Sequence, residues 1–128
     1  MSEFLLKGKI IGFEEQANYT LRNLVAEDSP FRILESTEGG FSFVVVNPYD
    51  VAENYTFEVQ DDVLADLDLD PKSVEDLAVL CIIRHDEDNV YVNLRSPLVF
   101  NTKKGFFRQI ILDNEAYPVS TPFRSTAQ

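Results

Sequence analysis

A chain of 128 residues with 45% hydrophobic and 12% aromatic residues suits one domain, and its length leaves little room for a second independent core. A net charge of −11 without a basic stripe disfavours direct binding to a nucleic-acid backbone, because phosphates repel such a surface. No window holds the roughly 18 consecutive apolar residues of a spanning helix, and the apolar content excludes a disordered chain apart from its ends.

The amino end, Met1-Ser2-Glu3-Phe4-Leu5-Leu6-Lys7, has no basic start followed by a long apolar stretch, which argues against a secretory signal. The single cysteine, Cys81, cannot form an internal disulfide and fits a reducing compartment. The expected location is therefore the cytoplasm, where the sequons at Asn18 and Asn54 carry no meaning.

In chain order, Tyr19 to Val25 reads as a strand, Glu27-Asp28-Ser29-Pro30 as a turn and Phe31 to Glu35 as a short strand. Gly39-Gly40 predicts a hairpin turn into the β-branched and aromatic strand Phe41 to Val46. Asn47-Pro48-Tyr49-Asp50 breaks that strand, since proline cannot donate to a ladder. Tyr55 to Val59 alternates cleanly between apolar and polar residues and predicts a further strand. Asp62 can cap a short helix on which Val63, Leu64 and Leu67 share one side. Ser73-Val74-Glu75-Asp76 has the capping-box form and predicts one more helical turn.

The apolar run Leu77 to Ile83 predicts a central strand buried on both faces. His85 to Asn89 is a polar turn into a strand from Val90 to Leu94, which Ser96-Pro97 interrupts before Leu98 to Asn101. Lys103-Lys104-Gly105 turns the chain into a last strand, Phe106 to Leu112, and from about residue 118 the chain reads as a tail. Seven or eight short strands with frequent turn signals predict a mainly β, single-domain fold over residues 1–128. Its form would be an antiparallel barrel or sandwich with one or two short helical turns.

Charge is unevenly spread. Residues 50–76 hold ten acids against Lys72 alone, while the two flanks are nearly balanced. Such a segment would attract and steer a basic protein partner, although acidity of this kind also serves solubility alone.

Catalytic equipment is sparse. His85 is the only histidine and sits in a turn, so no histidine-based metal site can form. Cys81 lies in an apolar strand with no basic neighbour in sequence and reads as a core thiol. Asp66-x-Asp68-x-Asp70 begins like a calcium loop, but Pro71 replaces the turn glycine and Leu77 the closing glutamate. No cofactor or metal is expected. Paired carboxylates are plentiful, which leaves a small acidic hydrolase as the alternative to a binding protein.

Several segments in order resemble the FliW family of flagellar assembly factors. They are Gly8-Lys9-Ile10-Ile11-Gly12-Phe13-Glu14, Asp28-Ser29-Pro30-Phe31, Phe43-Val44-Val45-Val46-Asn47-Pro48-Tyr49, the stretch from Asn93 to Lys103, and Gln109-Ile110-Ile111-Leu112-Asp113. The resemblance spans residues 8 to about 122 and implies a barrel-like regulator without enzymatic activity. It implies two protein partners: flagellin and, once flagellin is exported, the RNA-binding repressor CsrA, whose repression of flagellin translation is thereby relieved. The chain is further expected to be cytoplasmic and monomeric when free, and to bind neither nucleic acid nor membrane directly.

Two departures stand out. The family has a leading strand before the Gly-x-x-Gly-Phe region, yet only seven residues precede Gly8, so that strand is expected to be absent or short. The family often has Arg-Gly after the Asn-Thr-Lys turn, whereas this chain reads Lys104-Gly105-Phe106-Phe107, whose two successive aromatics put one outward, as a partner contact or a second packing layer.

Two groups of candidate binding residues follow. The first is Asn93, Pro97, Asn101, Thr102 and Lys103 with the break Asn47-Pro48-Tyr49, residues equally suited to turn chemistry. The second is the acidic set Asp61, Asp62, Asp66, Asp68 and Asp70, where charge tunes association rate more than affinity.

Overall fold

A computed structural model of the chain describes residues 4–15, 17–23, 30–70, 72, 74–113 and 116–123. The strands β1 (Phe4–Lys9), β2 (Asn18–Asn23), β3 (Phe31–Ser36) and β4 (Ser42–Val46) form an antiparallel meander. A 3-10 turn at Pro48–Asp50, the helix α1 (Asp61–Asp66) and a second 3-10 turn at Val74–Asp76 lead into β5 (Leu77–Asp86). Then come β6 (Asn89–Val92), β7 (Leu98–Asn101), β8 (Phe106–Gln109) and β9 (Thr121–Pro122). The expected turn residues Glu27-Asp28-Ser29, the strand end Leu24-Val25, Pro71, the capping residue Ser73 and the final residues 124–128 lie outside the described residues.

Seven strands close into a barrel in the order β4-β3-β2-β1-β8-β7-β5, sealed where Val45 and Val46 of β4 meet Ile82 and Cys81 of β5. The mainly β, barrel-like expectation is met, with one exception to its antiparallel character. β1 and β8 run parallel, with Lys7 opposite Phe106, Gly8 opposite Phe107 and Lys9 opposite Arg108. Gly8 permits that seam: a Cβ there would lie 2.3 Å from the Phe107 carbonyl oxygen. The leading strand, expected to be absent or short, is present as six-residue β1.

β5 joins two structures. Leu77 to Leu80 pair with β7, and Ile83 to Asp86 leave the barrel to pair with β6, which in turn pairs with β9. Ala78, Leu80 and Ile82 pack on the barrel core, while Val79, Cys81 and Ile83 pack on a second cluster around Tyr55, Val92 and Leu94. Both faces are thus covered as expected, but only Cys81 is fully buried; the other apolar residues are half-buried. A third cluster (Val63, Leu67, Leu69 and Val99) anchors α1 on the outside of the barrel. Six residues are too few for an independently stable helix. Burial of such side chains contributes about 1.5–3 kcal/mol each, which holds α1 in place.

Four local expectations need correction. Tyr55 to Val59 alternates in burial but forms no ladder; the Thr56 N–H donates to the Tyr117 hydroxyl at 3.0 Å instead. Alternation reports which side faces a core and does not require a strand partner. The N-cap of α1 is Gln60, without a side-chain cap, and Asp62 falls inside the first turn. β8 ends at Gln109, although the Ile110 and Leu112 N–H groups still donate to the Pro97 and Arg95 carbonyls. The stretch from residue 118 is tied down as far as residue 123: Thr121–Pro122 pairs with β6, and Phe31 packs against Phe123. Proline is tolerated there because β9 is an edge strand among the described residues. Phe107 stacks on Phe100 in the barrel core while Phe106 packs under α1, so the second aromatic serves a second packing layer.

Candidate functional site

The first candidate group is mostly engaged within the fold. Asn101 is buried, and its Nδ2 donates to the Leu67 and Asp68 carbonyls at 2.9 and 3.2 Å. Its Oδ1 accepts from the Lys103 and Lys104 N–H groups at 3.1 and 3.2 Å. This one side chain therefore ties the β7–β8 turn to the end of α1. Thr102 donates both its N–H and its hydroxyl to the Asp76 carbonyl. Asn93 Oδ1 accepts from the Ser96 N–H at 3.0 Å, which sets the bend before buried Pro97. Lys103 is exposed. At the other break, Asn47 is the N-cap of the 3-10 turn and accepts from the Tyr49 N–H; Pro48 is buried and Tyr49 exposed.

The acidic group lies along and after α1, where all five carboxylates are exposed. Asp61 and Asp62 occupy its first turn, where negative charge complements the exposed N–H groups. Asp66 pairs with Arg108 and Asp68 with Lys104, so β8 and the turn before it neutralise part of the segment. Asp68 adopts the left-handed conformation at φ 54°, and Asp70 accepts from the Lys72 N–H. No ion pair among the described residues involves Asp61, Asp62 or Asp70.

Two concavities gather some of these residues. A groove of about 1060 Å³ between α1 and the β1–β8 seam takes in Asp62 and Asp66 together with Lys7, Lys9, Ile11, Glu58, Arg108 and Ile111. A second cavity of about 650 Å³ has Leu6, Leu21 and Phe100 of the barrel core in its floor and Arg32, Asn47, Tyr49 and Thr102 at its rim. The two candidate groups thus fall into separate places. Lys7, Lys9, Ile11 and Ile111 were not among the candidate binding residues read from the sequence. The run Ile110-Ile111-Leu112 held a signal, because three successive apolar residues in an extended segment cannot all face one core.

Titratable chemistry in the interior is limited. Burial pushes the Cys81 thiol up to about 12, although the neighbouring Tyr55 hydroxyl opposes the shift. Burial likewise raises the Tyr55 hydroxyl, which donates to the Leu94 carbonyl at 2.6 Å. Cys81 is a protonated core thiol at neutral pH, as its apolar strand predicted. His85 is exposed at the end of β5. Among the described residues no group of three His, Cys, Asp or Glu side chains is placed to hold a metal ion, and no helix is long and apolar enough to cross a membrane.

The family model of the FliW protein matches residues 2–123. The chain belongs to the FliW family. The flagellar assembly factor FliW of Caldicellulosiruptor saccharolyticus is 38% identical to it over 100 residues, 75% of this chain and 64% of that protein. The chain therefore spans somewhat less than two thirds of that FliW protein's length. The FliW of Thermoanaerobacter pseudethanolicus is 30% identical over 114 residues, covering 88% of this chain and 76% of the relative. A crystal structure of the flagellar assembly factor FliW matches the fold with a TM-score of 0.82 at 28% identity, over 97% of this chain and 88% of the other. The FliW resemblance read from the sequence is borne out, and the barrel with its outer helix is the FliW fold.

Proposed function

We propose that this FliW-family chain is a cytoplasmic flagellar assembly factor that works by binding proteins and catalyses no reaction. It holds flagellin, and when flagellin is exported it is freed to bind CsrA and relieve repression of flagellin translation. Family membership over residues 2–123 carries this reading. The chemistry of the chain is in keeping with it: the thiol is buried and protonated, and the single histidine lies on an exposed hairpin. A net charge of −11 favours approach of a basic partner and repels RNA from the surface nearby. The free protein is a monomer, and each partner replaces the other over the export cycle.

The test is to mix the purified protein with flagellin and, separately, with CsrA, and to measure mass in solution by light scattering. A complex heavier than either component is expected in each mixture. Absence of a complex in both would overturn the reading.

A further inference from the structure

Two residue pairs seal the barrel between β4 and β5, and the cause of so short a seam lies in Pro48. Val45 lies opposite Ile82 and Val46 opposite Cys81, so continued register would set Pro48 opposite Val79. Proline has no N–H to donate, and the Pro48 carbonyl already accepts from the Val51 and Ala52 N–H groups. The ladder therefore stops, and the chain turns away at Pro48–Asp50. On its other edge β5 pairs with β7, and the Thr102 N–H donates to the Asp76 carbonyl. Main-chain groups of an antiparallel strand alternate between its edges, so those of Ala78 and Leu80 face β7 and those of Val79 face the open seam. No hydrogen bond among the described residues engages the Val79 N–H or carbonyl. The cavity of about 650 Å³ lies along this gap, with Leu6, Leu21 and Phe100 in its floor. The gap also accounts for the half-buried state of Leu77 to Leu80 in a strand whose two faces are covered.

We infer that the open seam receives an extended segment of flagellin, which pairs with Val79 as an added strand and completes the barrel wall. An unpaired strand edge calls for main-chain N–H and C=O groups, and an extended peptide supplies both at the matching spacing. An aliphatic side chain of the segment points inward and meets Leu6, Leu21 and Phe100, while its neighbours along the strand point outward. The charge of the opening favours flagellin over CsrA. Its two charged residues, Arg32 and Asp50, are of opposite sign, so it exerts no net pull on a basic repressor. Flagellin also leaves its partner for export, and a chain awaiting passage through a channel has extended backbone to offer. The inference rests on the reading of this chain as a flagellin binder and adds the place and the geometry of contact.

The experiment records amide exchange of the full chain alone, with full-length flagellin and with CsrA, resolved to single residues by NMR. The Val79 amide should exchange about tenfold more slowly or better with flagellin, and at its free rate with CsrA. Ala78 and Leu80, already bonded to β7, should change little, a pattern that general tightening of the barrel would not produce. Two variants test the same edge by calorimetry. Val79→Pro removes the N–H offered to the segment while leaving the β7 ladder its own, and should weaken flagellin binding about tenfold or more. Val79→Ala trims the same side chain but keeps the N–H, and should stay within about threefold. A flagellin complex that leaves Val79 exchange unchanged would overturn the added strand and leave the proposed function standing. Protection of Val79 by CsrA, wild-type affinity of a folded Val79→Pro, or an equal loss in Val79→Ala would overturn it too. Exchange is read on the unaltered chain, so it decides even where Val79→Pro does not fold. Failure of the wild-type chain to bind flagellin would overturn the proposed function and the added strand together.

Discussion

The stretch from Asn93 to Lys103 and the groove beside α1 use polar side chains in opposite ways. In the first, conspicuous residues bond to backbone inside the fold: Asn101 makes four hydrogen bonds to main-chain groups, Asn93 fixes its own turn, and Thr102 ties the β7–β8 turn to the Asp76 carbonyl. In the second, common lysines, isoleucines and aspartates are left facing solvent where three segments distant in sequence come together. A distinctive local pattern therefore marks where the chain must turn. A groove can be assembled from residues with nothing unusual beside them.

The largest expected effect comes from the first region. Asn101→Ala leaves two carbonyls and two N–H groups without their partner, some of them buried, and should lower stability by about 3 kcal/mol. A urea midpoint that barely moves would remove the structural role assigned to this side chain. Gly8→Ala drives a methyl group into the Phe107 carbonyl across the parallel seam, with an expected loss of about 2 kcal/mol. Thermal unfolding measures it, and a wild-type midpoint would mean that the seam can widen freely.

The smallest effect belongs to the acidic segment along and after α1. Converting Asp61, Asp62 and Asp70 together to asparagine should change stability little, because none is ion-paired among the described residues. Under the function proposed above, it should slow association with CsrA by a few-fold at low salt and flatten the salt dependence of the rate. Stopped-flow traces with the same rate and salt slope as wild type would place this segment outside the interface.

Much of the barrel was legible because its signals are local. Gly39-Gly40 at the hairpin, the β-branched run into Val46, the break at Ser96-Pro97 and the polar turn expected over His85 to Asn89, which narrows to Glu87-Asp88 between β5 and β6, each act within a few residues. The parallel β1–β8 pairing was not legible, since nothing near Lys7 or Phe106 specifies the direction of a partner so far along the chain. Tyr55 to Val59 misled for the related reason that alternation encodes a buried side, not a ladder. The five aspartates were visible as charge, yet the Arg108 and Lys104 partners that neutralise two of them come from β8 and the turn before it. Lys7 and Lys9 gave no sign of facing α1, because their side of the groove exists only after the barrel closes.

That late closure matters during synthesis. The Ile11 N–H bonds to the Gln109 side chain across a separation of 98 residues, close to where β1 meets β8. The meander from β1 to β4 can form as it leaves the ribosome, but it then exposes the unpaired edge of β1 until β8 is made. Lysines along a bare edge deter pairing with a neighbouring chain. Lys7 and Lys9 lie on that edge strand, where two positive charges would disfavour pairing of an unfinished sheet with another until its own last barrel strand arrives.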